Sequence, residues 1–148
     1  KRDEVRAAGD AVQAVTIDGV DCPTLYCLRE DTAALTAAAD QSTFNLHLST
    51  AAAEPRQLAP LDPLIYDRRL TAALWNFAYT WEVYTPPHKR VRGYYALPVL
   101  AGPELIGHID PKADRARKKL IVVSRRVRRG HSVAPAVREL AQWLGLKA

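Results

Sequence analysis

Apolar and polar residues alternate early in the chain, Val12, Ala14 and Thr16 against Gln13, Val15 and Ile17. Asp18-Gly19 is a tight-turn dipeptide, and Leu25-Tyr26-Cys27-Leu28 has the composition of a returning strand. Together they predict a β-hairpin over residues 12–28. Residues 31–40 are Ala-rich and read as a short helix with Asp31 or Thr32 as its N-cap. A two-stranded wing beside small helices is the pattern of a winged-helix remnant. Phe44-Asn45-Leu46-His47-Leu48 alternates again and predicts a further strand, and Ser49 to Pro60, with Pro55 and many small residues, reads as a connection.

The second half has stronger signals. Asp62-Pro63 predicts a helix start, because Asp accepts an amide hydrogen bond at the N-cap and Pro at the first helical position gives up no needed donor. Leu70, Ala73, Leu74 and Phe77 follow at helical spacing and predict one buried face. Phe77, Tyr79, Trp81 and Val83 then alternate with Ala78, Thr80, Glu82 and Tyr84, which predicts a half-buried strand. Thr85-Pro86-Pro87-His88-Lys89 breaks it, and Val91 to Leu100 is expected to return as its partner, with Pro98 implying an edge or a bulge. Short strands are also predicted at Leu105–Ile109 and Lys118–Val127, so the region reads as a small twisted barrel or a strongly curled antiparallel sheet. Val133, Val137, Leu140 and Leu144, with Ser132 as N-cap and Gly145 closing it, mark a terminal amphipathic helix.

Charge sharpens the division between the halves. The net charge of +5 combines a first part, residues 1–64, with 5 Lys/Arg against 10 Asp/Glu, and a second, residues 65–148, with 16 against 6. A basic half of this strength points to a polyanionic partner. No apolar run is long enough for a membrane span. Cys22 and Cys27 form a lone C-x4-C pair, which argues against zinc and fits unbridged thiols in a reducing compartment. The 148 residues include no methionine, even at position 1, so the sequence is expected to be a piece of a longer chain.

Familiar catalytic signatures are missing: there is no G-x-G-x-x-G, Walker loop, G-x-S-x-G or H-E-x-x-H. His47, His88, His108 and His131 are scattered singly, which favours surface or packed roles. Glu82 among aromatics is a candidate for a shifted pKa, with pairing to an Arg of a neighbouring strand as the expected use. Asp62 and Asp67 read as caps that complement the helix dipole. Lys89, Arg90 and Arg92 belong to an arm that also carries Trp81, Tyr84, Tyr94 and Tyr95, a combination suited to phosphates and sugars. Solubilising an exposed edge would also explain those cations. Residues 112–129 hold nine Lys/Arg against one acid, Asp114.

Leu58-Ala59-Pro60-Leu61-Asp62-Pro63-Leu64-Ile65-Tyr66-Asp67-Arg68-Arg69 resembles the "LLSPFDPLLWDRRR" block of the winged-helix DNA glycosylases of the AlkZ/YcaQ type. The resemblance continues through Phe77-Ala78-Tyr79-Thr80-Trp81-Glu82-Val83-Tyr84-Thr85-Pro86, Lys89-Arg90, Gly93-Tyr94-Tyr95-Ala96-Leu97-Pro98-Val99-Leu100 and residues 105–115. Residues 1–57 are similar only loosely. Leu61 stands in place of the family's Phe, Tyr66 in place of Trp, and Trp75-Asn76 in place of a Phe-Gly pair. The resemblance implies tandem winged helices with a barrel-like region, and hydrolysis of the N-glycosidic bonds of alkylated or crosslinked bases. It also implies that the catalytic Gln-containing motif lies outside these residues, since Gln13 and Gln41 lack its paired spacing.

The expected fold is therefore α+β: a winged-helix-like unit and connection over 1–57, then a barrel-like basic region with a terminal helix over 58–148. The expected function is the DNA-binding part of a DNA glycosylase, inactive by itself, monomeric, in the bacterial cytoplasm at the nucleoid. A non-catalytic winged-helix DNA-binding regulator is the alternative, and a purely structural scaffold a third. Double-stranded DNA, damaged or not, is the expected partner, with no membrane, metal or small-molecule cofactor. Arg68, Arg69, Lys89, Arg90, Arg92, Lys112 and Arg115 are the expected DNA contacts.

Overall fold

The computed structural model describes residues 2–40 and 54–148. The chain divides into two compact units, Lys1–Thr50 and Ala51–Ala148. The strand predicted at residues 44–48 and the start of the connection after it lie outside the described residues. Among those described, no helix is long and apolar enough to cross a membrane.

The first unit runs α1 (Arg2–Ala8), a 3-10 turn, β1 (Val12–Val15), β2 (Leu25–Leu28), a second 3-10 turn and α2 (Thr32–Asp40). The two strands are antiparallel, with Val12 opposite Leu28 and Val15 opposite Leu25. The predicted hairpin is present. Its strands end well before Asp18-Gly19, so that dipeptide forms only one corner of a longer connection, closed by a Val20 N–H to Ile17 carbonyl bond of 3.2 Å. Arg29 Nε donates to the Asp10 carbonyl at 2.6 Å, tying together the 3-10 turns that flank the hairpin. None of this unit's described residues is buried, and Tyr26 and Leu28 are about half exposed.

In the second unit β3 (Arg56–Gln57), β4 (Leu97–Ala101), β5 (Glu104–Asp114) and β6 (Lys119–Val127) form an antiparallel sheet in that order. The overall class is α+β, as expected. The barrel is not formed: the described strands make an open sheet, because a two-residue β3 is too short to carry the pairing around to β6. Two bulges curve the sheet. At the first, Val99 faces Gly107 while Leu100 faces Leu105, which leaves Ile106 unopposed. At the second, Asp110 faces Ser124 while Pro111 faces Val122, leaving Val123 unopposed. The first bulge sits beside Pro98, where the sequence placed an irregularity.

That bulge reverses the alternation, so Ile106 and Ile109 reach the same side as Val99. There they meet Val133 and Val137 at the start of α4 (Ala134–Trp143). The N-cap is Val133 and not the expected Ser132, whose Oγ, one residue earlier, still accepts from Ala134 N–H at 3.3 Å. Gly145, at φ +68°, turns the chain after the helix, where a residue without a β-carbon is favoured. The opposite side of the sheet is covered by Ile65 and Tyr79 against Leu105, with Trp75, Phe77 and Trp81 around them.

The helix predicted from Asp62 is two pieces. Asp62 caps only a 3-10 turn, accepting from Leu64 N–H at 2.9 Å. Asp67 caps α3 (Arg68–Trp75), accepting from Arg69 and Leu70 N–H at 2.9 and 3.3 Å. Both aspartates are caps, as expected. The later start changes the buried face: Thr71 is fully buried, its hydroxyl donating to the Asp67 carbonyl at 2.9 Å, while Leu74 is exposed. Asn76 in the left-handed region ends the helix before Phe77.

Candidate nucleic-acid interface

Residues 77–82 are extended, and their alternation is real: Ala78 and Thr80 are exposed, while Phe77, Tyr79 and Trp81 turn inward. They nevertheless form no strand, and residues 91–96 make no ladder with them; the return strand begins only at Leu97. Side chains occupy the backbone groups that a ladder would use. Arg68 donates to the Tyr79 carbonyl at 3.0 Å and Arg92 to the Ala78 carbonyl. The Tyr79 hydroxyl donates to the Ala96 carbonyl at 2.9 Å. Burial pushes that phenol up to about 12. The predicted hairpin over 83–95 is therefore a loop, with one 3-10 turn at Pro87–Lys89.

Two carboxylates hold the base of this loop. Glu82 is only 4% exposed, and its Oε2 accepts from the amides of Val91, Arg92 and Gly93 at 2.9, 2.8 and 3.2 Å. Its Oε1 lies 3.5 Å from the Arg92 guanidinium. Burial alone would raise this carboxyl. The amides of Arg92, Gly93 and Val91, with the Arg92 charge, outweigh it and hold the group below the usual range. Pairing with an arginine was expected; the partner comes from the loop, not from a neighbouring strand. Asp110, on β5, accepts from Tyr94 and Tyr95 N–H at 3.0 and 3.1 Å. Ser124 Oγ, on β6, donates to the Arg92 carbonyl at 2.7 Å. The loop is thus bolted to the sheet through its own backbone.

Beyond these bolts the loop faces solvent. Tyr84 is 88% and Val91 78% exposed, and His88, Lys89, Tyr94 and Tyr95 are exposed too. Trp81 lies edge-on to both Tyr84 and Tyr95, ring centroids 5.9 Å apart in each pair. Arg90 donates to the Thr85 carbonyl at 2.8 Å and covers the Tyr94 ring at 4.9 Å, which holds the tip in one shape. Of the three cations expected here, Lys89 is exposed and its side chain has no partner among the described residues, Arg90 is half-committed and Arg92 is paired with Glu82.

The other expected contacts lie elsewhere. Arg68 sits over the Tyr79 ring at 5.6 Å, and Arg69 lies 3.6 Å from Asp67. Lys112 is exposed on β5, and Arg115 is exposed in the β5–β6 turn with Arg117 and Lys118. Asp114 steadies that turn by accepting from Arg117 N–H at 3.0 Å.

The sequence reading did not single out the row that β5 and β6 place under the loop. Register pairs Asp110 with Ser124 and His108 with Arg126. His108 is buried, and burial first, then the charges of Arg92 and Arg126, hold its imidazole below the ordinary value of 6.5, against an opposite pull from Glu82 and Asp110. Beside this row opens a cleft of about 630 Å³ whose lining includes Trp75, Phe77, Arg92, His108 and Arg126. Cys22 and Cys27 are free thiols in the first unit. No group of three or more described His, Cys, Asp or Glu residues is gathered to hold a metal ion.

A family model described as DNA glycosylase AlkZ-like matches residues 1–146, a span that includes the region where the block-by-block similarity is loose. No solved structure matches the chain.

Proposed function

Because this chain belongs to the AlkZ-like DNA glycosylase family, we propose that its second unit grips duplex DNA for an enzyme that hydrolyses N-glycosidic bonds of alkylated or crosslinked bases. The observation that carries this reading is the loop of residues 83–95. Its base is fixed by Glu82 and Asp110, and its outer part offers Tyr84, Lys89, Val91 and Tyr94 to solvent. A cation meets phosphate, while exposed aromatic and aliphatic atoms meet sugar and base edges. A loop pinned at its root pays little ordering entropy when it docks, so more of the contact energy appears as affinity. The basic β5–β6 turn, with Arg115, Arg117 and Lys118, supplies sequence-independent phosphate contacts.

In this reading the second unit contributes positioning and not the bond-breaking step. Its two carboxylates at the loop base are occupied by backbone amides. The first unit, a short hairpin with helices on either side, is the wing-bearing part and makes DNA contacts of its own. The protein acts as a monomer on chromosomal DNA in the cytoplasm. The test is anisotropy titration of a labelled 20-base-pair duplex with the chain and with its Tyr84→Ala, Lys89→Ala variant. A tenfold or greater loss of affinity with an unchanged Tm supports the reading, and unchanged affinity removes the loop from the interface.

A further inference from the structure

The cleft beside the loop combines three features that no single small ion or apolar ligand would use. Arg126 lies on the sheet face of His108, is exposed, and has no carboxylate partner among the described residues. His108, buried at the cleft wall, offers one ring nitrogen as donor and the other as acceptor while it stays neutral. Trp75 and Phe77 provide an aromatic side to the space. Both rings are held in advance: the Trp75 indole N–H donates to the Pro103 carbonyl at 2.7 Å, and Phe77 stacks on Tyr79 with centroids 6.3 Å apart.

We propose that this cleft binds one unpaired nucleotide of a DNA strand, with its phosphate on Arg126, its base edge at His108 and its flat face toward Trp75 and Phe77. The volume of about 630 Å³ lies within the range of sites that enclose ligands of this size. A stacked, paired base cannot enter such a concavity, whereas an unstacked one brings the phosphate, polar edge and planar apolar face that the three features match. The glycine in the floor fits the same picture. At φ +147° a β-carbon on Gly107 would lie 2.1 Å from the Arg126 carbonyl, so this position of the lining admits no side chain. The lining also holds Arg92, Arg125 and Arg128. Arg92 is paired with Glu82 and Arg128 with Glu104, and Arg125, opposite Ile109, belongs to the other face of the sheet, so Arg126 is the phosphate anchor.

This inference goes beyond the duplex reading and does not need it, since the loop tip and the cleft use different residues. The probe is 5′-phosphorylated tetrathymidylate, added to the intact chain while the His108 ring resonances are followed by NMR and affinity is measured by anisotropy. Inorganic phosphate and the 20-base-pair duplex are the comparison ligands. The expected result is that the tetranucleotide shifts the His108 ring, that Arg126→Gln weakens its binding about tenfold with Tm unchanged, and that Lys89→Ala changes it less than twofold. His108→Gln, which keeps a neutral donor and acceptor, should retain more affinity than His108→Phe. Equal shifts and affinity with inorganic phosphate would reduce the cleft to an anion site and overturn the proposal. So would unchanged tetranucleotide binding by Arg126→Gln, or shifts confined to residues 84–91. Failure of duplex binding with tetranucleotide binding intact would overturn the loop reading alone.

Discussion

Gly93 and Asp110 stand so close that a β-carbon on Gly93 would lie 2.2 Å from the Asp110 Oδ2. The contact joins the loop to the sheet, because the neighbouring amides of Tyr94 and Tyr95 donate to that same carboxylate. Gly93 also has φ +137°, a region that L-residues rarely adopt.

Replacing this glycine with alanine therefore combines backbone strain with a collision against a buried charge. Gly93→Ala should cost about 2–3 kcal/mol in urea unfolding. Duplex affinity should fall in the fraction that remains folded. A cost below about 0.5 kcal/mol would show that the joint is slack.

Glu82 is bound by three amides and one guanidinium, so its removal leaves Arg92 without its counter-charge and the loop amides without an acceptor. Glu82→Ala is expected to cost about 3 kcal/mol, and Glu82→Gln less, because an amide oxygen still accepts but carries no charge. Equal losses in urea unfolding would mean that charge contributes nothing at this site.

At the tip the order should reverse. Lys89→Ala should leave stability within about 0.5 kcal/mol, whereas Arg90→Ala should cost about 1 kcal/mol, because Arg90 holds the Thr85 carbonyl and covers Tyr94. Thermal denaturation of the two single variants separates a free cation from a framework one.

The response to pH has a fixed sign. The carboxyls of Glu82 and Asp67 lie below their ordinary values of 4.5 and 3.8, and His108 lies below 6.5. In each case the unfolded chain binds more protons than the folded one, so stability is full above the unfolded value and drains away as pH falls through the folded one. Tm should start to fall just below pH 6.5 because of His108 and fall faster in the carboxylate range. His108→Gln should flatten the first part of that limb. At the alkaline end Tyr79, raised from 10.0 to about 12, stabilises the fold at lower pH, and its contribution is lost as pH climbs between those values. Tyr79→Phe should remove that alkaline limb; an unchanged limb would show that the phenol does not titrate with unfolding.

The local codes were legible in the sequence, and the long-range ones were not. Asp62 and Asp67 read correctly as caps because a cap is decided within three residues. The hairpin of the first unit, the terminal helix and the α+β class followed from periodicity. The alternation of residues 77–81 was also genuine, but alternation reports which way side chains turn and not whether a neighbouring backbone is present. Arg68 and Arg92 took the carbonyls that a partner strand would have used. Asp110 escaped notice because its role depends on amides fifteen and sixteen residues earlier. The row of His108, Asp110, Ser124 and Arg126 was hidden because it depends on which residues of β6 fall opposite β5, a register that residue pattern does not record. The pairing of Arg92 with Glu82 was hidden in the same way, because the two become neighbours only when the loop closes.

The central claim, that the basic second unit holds DNA through phosphate contacts and a rigid exposed loop, is tested most directly by the salt dependence of duplex affinity. With roughly 5 to 8 phosphates neutralised, log affinity should fall against log salt with a slope of about −4 to −7. Lys89→Ala should make that slope shallower by about one. Neutralising Asp10 and Asp18 of the acidic first half should leave the slope unchanged. A wild-type slope near zero, or one that Lys89→Ala does not alter, would contradict the account.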